Sequence, residues 1–186
     1  MNVNDNGAPG CSSQPAHAVP QPAAAAAAAA APLYFAYGSN LCPAQMQQRT
    51  GCLAPGLLCQ LEGHRLLFNK RSSTTVGRVF ANIVPAPGHT VWGVCYPCSP
   101  AMFEALDRHE GVQGGHYQRL SVQLWARGGT PVKAVTYVAG PDFVCEARRP
   151  EPLYAQLILD GAHHHGLPTD YLAGLAALTN TMPGER

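Results

Sequence analysis

Charge is scarce in this chain: 12% of its 186 residues are Asp, Glu, Lys or Arg, and twelve basic residues face eleven acidic ones. No run of Lys or Arg occurs, so no local field would draw a nucleic acid or an anionic membrane surface. No stretch is long and apolar enough to be expected to span a bilayer. The amino terminus lacks the charged and Leu-rich regions of a secretory signal, and no Lys or Arg stands before Arg49, which argues against a mitochondrial transit peptide. A cytoplasmic address is therefore the expectation. The seven cysteines have neither the even count nor the regular spacing of a disulfide framework, and they are read as reduced thiols.

Apolar residues are plentiful. At 46% hydrophobic, the chain can fill the core of one ordinary domain. Residues 1–31 differ in kind, with polar residues, Pro and Gly followed by the alanine tract Ala23–Ala31 between Pro22 and Pro32. A tract this short has little helix stability of its own and nothing to pack. The expected organisation is a disordered leader over 1–31, a catalytic domain over 32–180 and a tail over 181–186.

Local patterns divide the domain. Leu33–Tyr37 reads as a strand and Ala44–Arg49 as a short helix that Gly51 stops. "LLCQLEGHRLLFNK" reads as two strands around Glu62 and Gly63. "GRVFANIVPAPGHTVWGVCYP" reads as a second pair that turns at Pro85, Pro87 and Gly88. A helix follows, with Ser99 as N-cap, Pro100 at its first position and Gly111 past its end. "HYQRLSVQLWARGGTPVKAVTYVAG" reads as a hairpin reversing at Gly128 and Gly129, with Leu120, Val122 and Leu124 on one face. Two helices, Leu153–Leu159 and Thr169–Leu178, flank "DGAHHHGLP". Neighbouring hairpins with helices between and after them predict an α+β domain around a mostly antiparallel sheet, curled toward a barrel.

Two places carry chemistry. At "YGSN" a strand meets Gly38, Ser39 and Asn40 just before a helix start, an arrangement in which backbone amides can face an anion. Gly38 is expected to take a backbone conformation closed to other residues, and Ser39 and Asn40 to add short donors. In the helix after Ser99, Met102, Phe103 and Leu106 define an apolar stripe whose next position is Glu110. Glu104 and Asp107 fall on the solvated side. Burial and the C-terminal end of the helix dipole both disfavour an ionised Glu110, which raises its pKa and suits it to proton transfer.

"FAYGSNL", "VWGVCY", "LDRHEGV" with a tyrosine seven residues after the glutamate, and "GLPTDYLAGL", in that order, resemble the γ-glutamylcyclotransferases. The resemblance runs from Leu33 to about Leu178. It implies a mixed fold with a barrel-like sheet and a cofactor-free conversion of a γ-glutamyl amide into 5-oxoproline and a free amine or amino acid. It further implies that Tyr37, Gly38, Ser39, Asn40 and Leu41 bind the γ-glutamyl unit, that Glu110 is the catalytic acid/base, and that Tyr117 and Tyr137 line the pocket. Whether the elbow amides hold the α-carboxylate or the oxyanion stays open. The expected partner is a small γ-glutamyl compound, with a second copy of the chain as the one protein partner considered. "YGSNL" is closer to the amino-acid branch than to the γ-glutamylamine type. A non-catalytic γ-glutamyl or carboxylate binding module of the same fold, and a cyclotransferase for γ-glutamylamines or γ-glutamyl-protected natural products, are the alternatives.

Other signals are set aside. Cys95 and Cys98 form a C-x-x-C, but Cys95 falls in a strand rather than at a helix start, and no second pair completes a zinc set. His163, His164 and His165 point in different directions and read as surface or capping residues. Arg71 and Arg78 read as surface charges rather than carboxylate ligands. Ser39 has no His-Asp relay to make it a nucleophile.

Overall fold

In the computed structural model, which describes residues 31–180, Leu33–Ala36 forms the first strand, β1, and pairs antiparallel with the end of a later one. The leader expected over 1–31 lies outside the described residues except for Ala31, and so does the tail 181–186. After β1 the chain makes a 3-10 turn, Ser39–Leu41, and enters helix α1, Pro43–Thr50, which Gly51 ends in the left-handed conformation at φ 74°.

The four short strands expected next are two long ones, β2 (Leu57–Arg71) and β3 (Val79–Pro97). The turn signals are real but work as bends. Gly63 and Gly88 both have positive φ, and between the pairs Glu62–Thr90 and His64–Pro85 the ladder slips and then resumes. A bulge of this kind bends the strands without reversing them. A second slip lies between Phe68 and Lys70, and there Phe68, Asn69 and Lys70 are all buried in succession.

Helix α2, Pro100–Glu110, has the expected boundaries, for reasons within a few residues of each end. Ser99 Oγ accepts from the Met102 amide at 3.3 Å, Pro100 needs no donor in the first turn, and Gly111 leaves the helix at φ 65°. The hairpin of β4 (Tyr117–Ala126) and β5 (Pro131–Ala139) follows, with positive φ at Gly128 and Gly129. The strands close into a barrel in the order β1-β3-β2-β4-β5, with every ladder antiparallel except that between β5 and β1. The α+β, barrel-like architecture read from the sequence is the one observed.

Helix α3 spans Pro152–His164, well past Leu159, and α4 spans Thr169–Asn180. The "DGAHH" segment is thus helical rather than a linker. Gly161 is buried in it because α3 presses against the elbow there. Among the described residues no helix is long and apolar enough to cross a membrane.

The described cysteines are free, and Cys59, Cys95 and Cys98 are buried. Burial pushes the Cys98 thiol up to about 12. The Cys95 thiol is also raised, first by its hydrogen bond with Cys59 and then by burial. A thiolate is needed for reaction. In native protein a thiol reagent is therefore expected to modify exposed Cys52 and to leave Cys95 and Cys98 untouched until denaturant is added; the Cys59 thiol is lowered by its bond with Cys95, and full burial alone shields it. Peptide mapping after alkylation checks this, and rapid native labelling of Cys95 or Cys98 would revive a redox role for the pair.

Candidate active site

Two joined compartments lie between the elbow, the C-terminal end of α2 and the first turns of α3. The inner one, of about 30 Å³, is lined by Gly38, Ser39, Asn40, Ala81, Glu110 and the rings of Tyr34, Tyr37, Tyr117, Tyr137 and Tyr154. The outer one, of about 480 Å³, shares Ser39, Glu110, Tyr117 and Tyr154 with it and adds Arg49, Lys70, Arg78 and His116 among others. Glu110 therefore sits at the junction.

The helical stripe accounts for that position. Phe103 and Leu106 are buried, Met102 is half-buried, and Glu110 continues the same face with a side chain only 14% exposed. Asn40 Nδ2 and Arg49 Nη1 each donate to Oε1, both at 3.2 Å. Oε2 accepts no hydrogen bond among the described residues. Burial raises the Glu110 pKa above the ordinary value of 4.5, and Arg49, Asn40 and Lys70 hold the rise in check. Burial keeps the phenols of Tyr34, Tyr37 and Tyr117 well above their usual range and lifts Tyr154 to about 12. Tyr137 is raised as well, by burial and by its bond to Asp107. Among the groups lining the inner compartment, Glu110 alone is suited to exchange a proton near neutrality.

The structure brings Tyr37, Gly38, Ser39, Asn40, Tyr117, Tyr137 and Glu110 to one cavity, and it does not bring Leu41 there. Leu41 is fully buried, and its carbonyl faces His165 Nε2 at 3.1 Å. His165 thus steadies the elbow from behind, while His163 and His164 are exposed. Gly38 departs from expectation: its φ is −107°, so no left-handed conformation is needed. Space favours glycine there instead, because a Cβ would sit a tight 3.3 Å from that of Ala81.

Asn40 also differs from expectation. Its Nδ2 donates to Tyr34 Oη at 2.8 Å as well as to Glu110, and its Oδ1 accepts from Arg49 Nη1 at 2.8 Å. The side chain is thereby occupied in holding Glu110 and Arg49. The Leu41 and Cys42 amides are used within the turn, to Gly38 and Ser39, which leaves the Ser39 and Asn40 amides as the elbow donors unused by it.

Asp107 is half-buried rather than solvated, whereas Glu104 is exposed as expected. Asp107 Oδ1 accepts from Tyr137 Oη at 2.7 Å, and a two-point bridge from Arg119 fixes the carboxylate. Tyr37 donates to the Tyr137 carbonyl at 2.6 Å and Tyr117 to the Ala81 carbonyl at 2.7 Å. These bonds fix the rings as walls. His109 lines the outer compartment but forms no ion pair with Glu110 among the described residues.

Sequence reasoning missed Arg49, Lys70, Tyr34 and Tyr154. Arg49 stands in the last turn of α1, 61 residues from the glutamate it pairs with, and nothing local marks it. Among the described residues, no cluster of three or more His, Cys, Asp or Glu could hold a metal ion.

Comparison with known proteins bears on the family and the fold. The model of the AIG2-like family matches residues 90–175. The human protein named gamma-glutamylcyclotransferase is 33% identical over 150 residues, covering 78% of each chain. Its mouse counterpart is 31% identical over the same coverage. A solved structure named gamma-glutamyl cyclotransferase superposes with a TM-score of 0.72 at 31% identity, covering 78% of this chain and 86% of that one. YkqA from Bacillus subtilis, at 23% identity and a TM-score of 0.73, shares the fold. At 33% identity to the human protein over 150 residues, 78% of its length, this chain is an enzyme of that type and belongs to the gamma-glutamylcyclotransferase family.

Proposed function

We propose that the enzyme converts a γ-glutamyl amide into 5-oxoproline and a free amine, with an amino acid as the leaving amine, by intramolecular aminolysis. The observation that carries this reading is the position of Glu110: a buried carboxyl of raised pKa, anchored through one oxygen, at the junction of a small polar recess and a wider chamber. The substrate carries its own nucleophile, the α-amine, but as an ammonium that nitrogen has no lone pair to offer. Ionised Glu110 takes one proton from it. The freed nitrogen bonds to the γ-carbonyl carbon, closing a five-membered ring and placing negative charge on the carbonyl oxygen. When this intermediate collapses, the old carbon–nitrogen bond breaks and the departing nitrogen takes the proton held by Glu110; the ring nitrogen, still a cation with two hydrogens, gives its second proton to the freed carboxylate, which passes it on so that the amine leaves as an ammonium. Amine and carbonyl are parts of one molecule, so the protein's task is to fold the substrate and carry protons from the attacking to the departing nitrogen. The Ser39 and Asn40 amides are suited to either the α-carboxylate or the oxyanion.

Incubating the purified protein with γ-glutamyl donors and assaying 5-oxoproline tests the reading. Release from γ-glutamyl amino acids is the expected result. Binding without release from any donor would favour a non-catalytic carboxylate-binding module of the same fold.

Arg49 supplies a pH test. The base must be ionised, so activity falls as pH drops through the raised Glu110 pKa. Arg49 favours the ionised form. In Arg49→Met that support is lost, the pKa climbs further, and the acid limb of kcat/KM moves to higher pH. The deficit against wild type is expected to be greatest at low pH and to shrink as pH rises. A uniform loss at all pH values would mean that Arg49 acts on something other than Glu110 ionisation.

A further inference from the structure

We propose that Lys70 receives the carboxylate of the leaving amino acid, so that the outer compartment selects γ-glutamyl amino acids over γ-glutamylamines; this rests on the cyclotransferase reading above. Lys70 is 4% exposed and lines the outer compartment together with Glu110. It follows the β2 bulge after Phe68, and bulges beside sites commonly re-aim side chains. Its ammonium lies 5.2 Å from the ring centre of Phe80, 5.3 Å from that of Tyr117 and 5.1 Å from that of Phe143. Rings within about 6 Å attract a cation and partly replace lost water. One N–H reaches His116 Nδ1 at 3.1 Å, and that imidazole stacks on Phe143 at 4.0 Å. A lysine ammonium has three N–H groups, and no carboxylate among the described residues pairs with this one.

The other cations of the compartment are engaged. Arg49 is paired with Glu110 at 3.2 Å and Arg78 with Glu151 at 2.7 Å. Lys70 is therefore a buried cation that feels the Glu110 carboxyl across the chamber but has no carboxylate in direct contact among the described residues. Keeping such a charge from its counter-ion is costly, and a carboxylate entering the chamber would complete the pair. Arg78 supplies a second, independent sign. It stacks on the same Phe80 ring, and its buried Nε has no acceptor among the described residues. With the γ-glutamyl unit turned toward the inner recess and its amide at Glu110, the leaving group extends into the outer chamber. An amino acid brings a carboxylate to that wall, and a simple amine brings none.

γ-Glutamyl-L-alanine and γ-glutamylethylamine differ only by that carboxylate. Wild type is expected to favour the alanine donor about 100-fold in kcat/KM, the order of loss when one partner of a buried charge pair is removed. Lys70→Met removes the charge with an unbranched side chain one atom shorter that suits the apolar cage. Loss of the charge also removes one cation that favours ionised Glu110, which acts on both donors alike, so the readout is the ratio of the two at a pH above the acid limb: there the preference for the alanine donor is expected to fall about 100-fold. Equal loss on both donors from a variant with a native melting curve would place Lys70 on the γ-glutamyl unit or on Glu110, and would overturn the assignment. So would an unchanged rate on the alanine donor. If Lys70→Met does not fold, wild type still decides: equal kcat/KM for the two donors overturns it. Wild type releasing 5-oxoproline from neither donor would instead remove the cyclotransferase reading itself.

Discussion

Glu110→Gln is expected to abolish 5-oxoproline formation while making the folded protein more resistant to heat at neutral pH. Gln preserves the shape of the side chain and its place on the α2 stripe but can neither take nor return a proton, so a loss of roughly 10²–10⁴-fold in kcat is expected. The stability change follows from the same burial. The folded-state pKa of Glu110 is raised above 4.5. Such a group contributes stability fully below its unfolded pKa and loses that contribution as pH rises through the folded value. At pH 7 the wild-type carboxylate is therefore a burden to the fold, and the neutral amide relieves it. Arg49 is left without its carboxylate in the variant, but it is 24% exposed and keeps its bond to Asn40. The melting difference should narrow below pH 4.5, where the wild-type carboxyl is protonated in both states. Melting curves at pH 7 and pH 4 beside the rate assay check both halves. A variant that still made 5-oxoproline at the wild-type rate would end the role given to Glu110.

Gly161→Ala is expected to destabilise the protein, although alanine is the better helix former by about 1 kcal/mol in an exposed position. A Cβ at 161 would collide with the backbone of Leu41 and Cys42, lying 2.6 Å from the Cys42 nitrogen. Backbone cannot rotate aside as a flexible side chain would, so α3 or the elbow must shift. A net cost of about 1–3 kcal/mol is expected, which lowers the melting temperature by roughly 2–10 °C in a domain of this size. The displaced elbow carries Ser39 and Asn40, so kcat/KM should fall as well. A variant more stable than wild type would mean that α3 does not bear on the elbow as described.

How much could be read beforehand follows the range of the forces involved. The ends of α2 depend on Ser99, Pro100 and Gly111, each within a few residues of the bond it makes or omits. The same locality held for the hairpin at Gly128 and Gly129 and for α1 stopping at Gly51. The burial of Glu110 was legible because Phe103 and Leu106 fix which face of α2 meets the core. The long strands were missed because Gly63 and Gly88 carry ordinary turn chemistry. Only the ladder resuming beyond them makes a bend of it. α3 was cut short because Gly161 looks like a helix end until Leu41 is seen packed against it.

The sequence by itself determined the α+β alternation, the elbow at Gly38–Asn40 and the misplaced carboxyl at 110, since each rests on backbone preferences and periodicity acting over a turn or two. Tertiary packing alone decided what surrounds that carboxyl. It set Arg49 of α1 beside Glu110 of α2, engaged the Asn40 side chain with both, and enclosed Lys70 among Phe80, Tyr117 and Phe143. These partners lie up to 73 residues apart along the chain, so no local preference encodes their meeting. Charge pairing and burial act through space, and only the folded chain supplies that space.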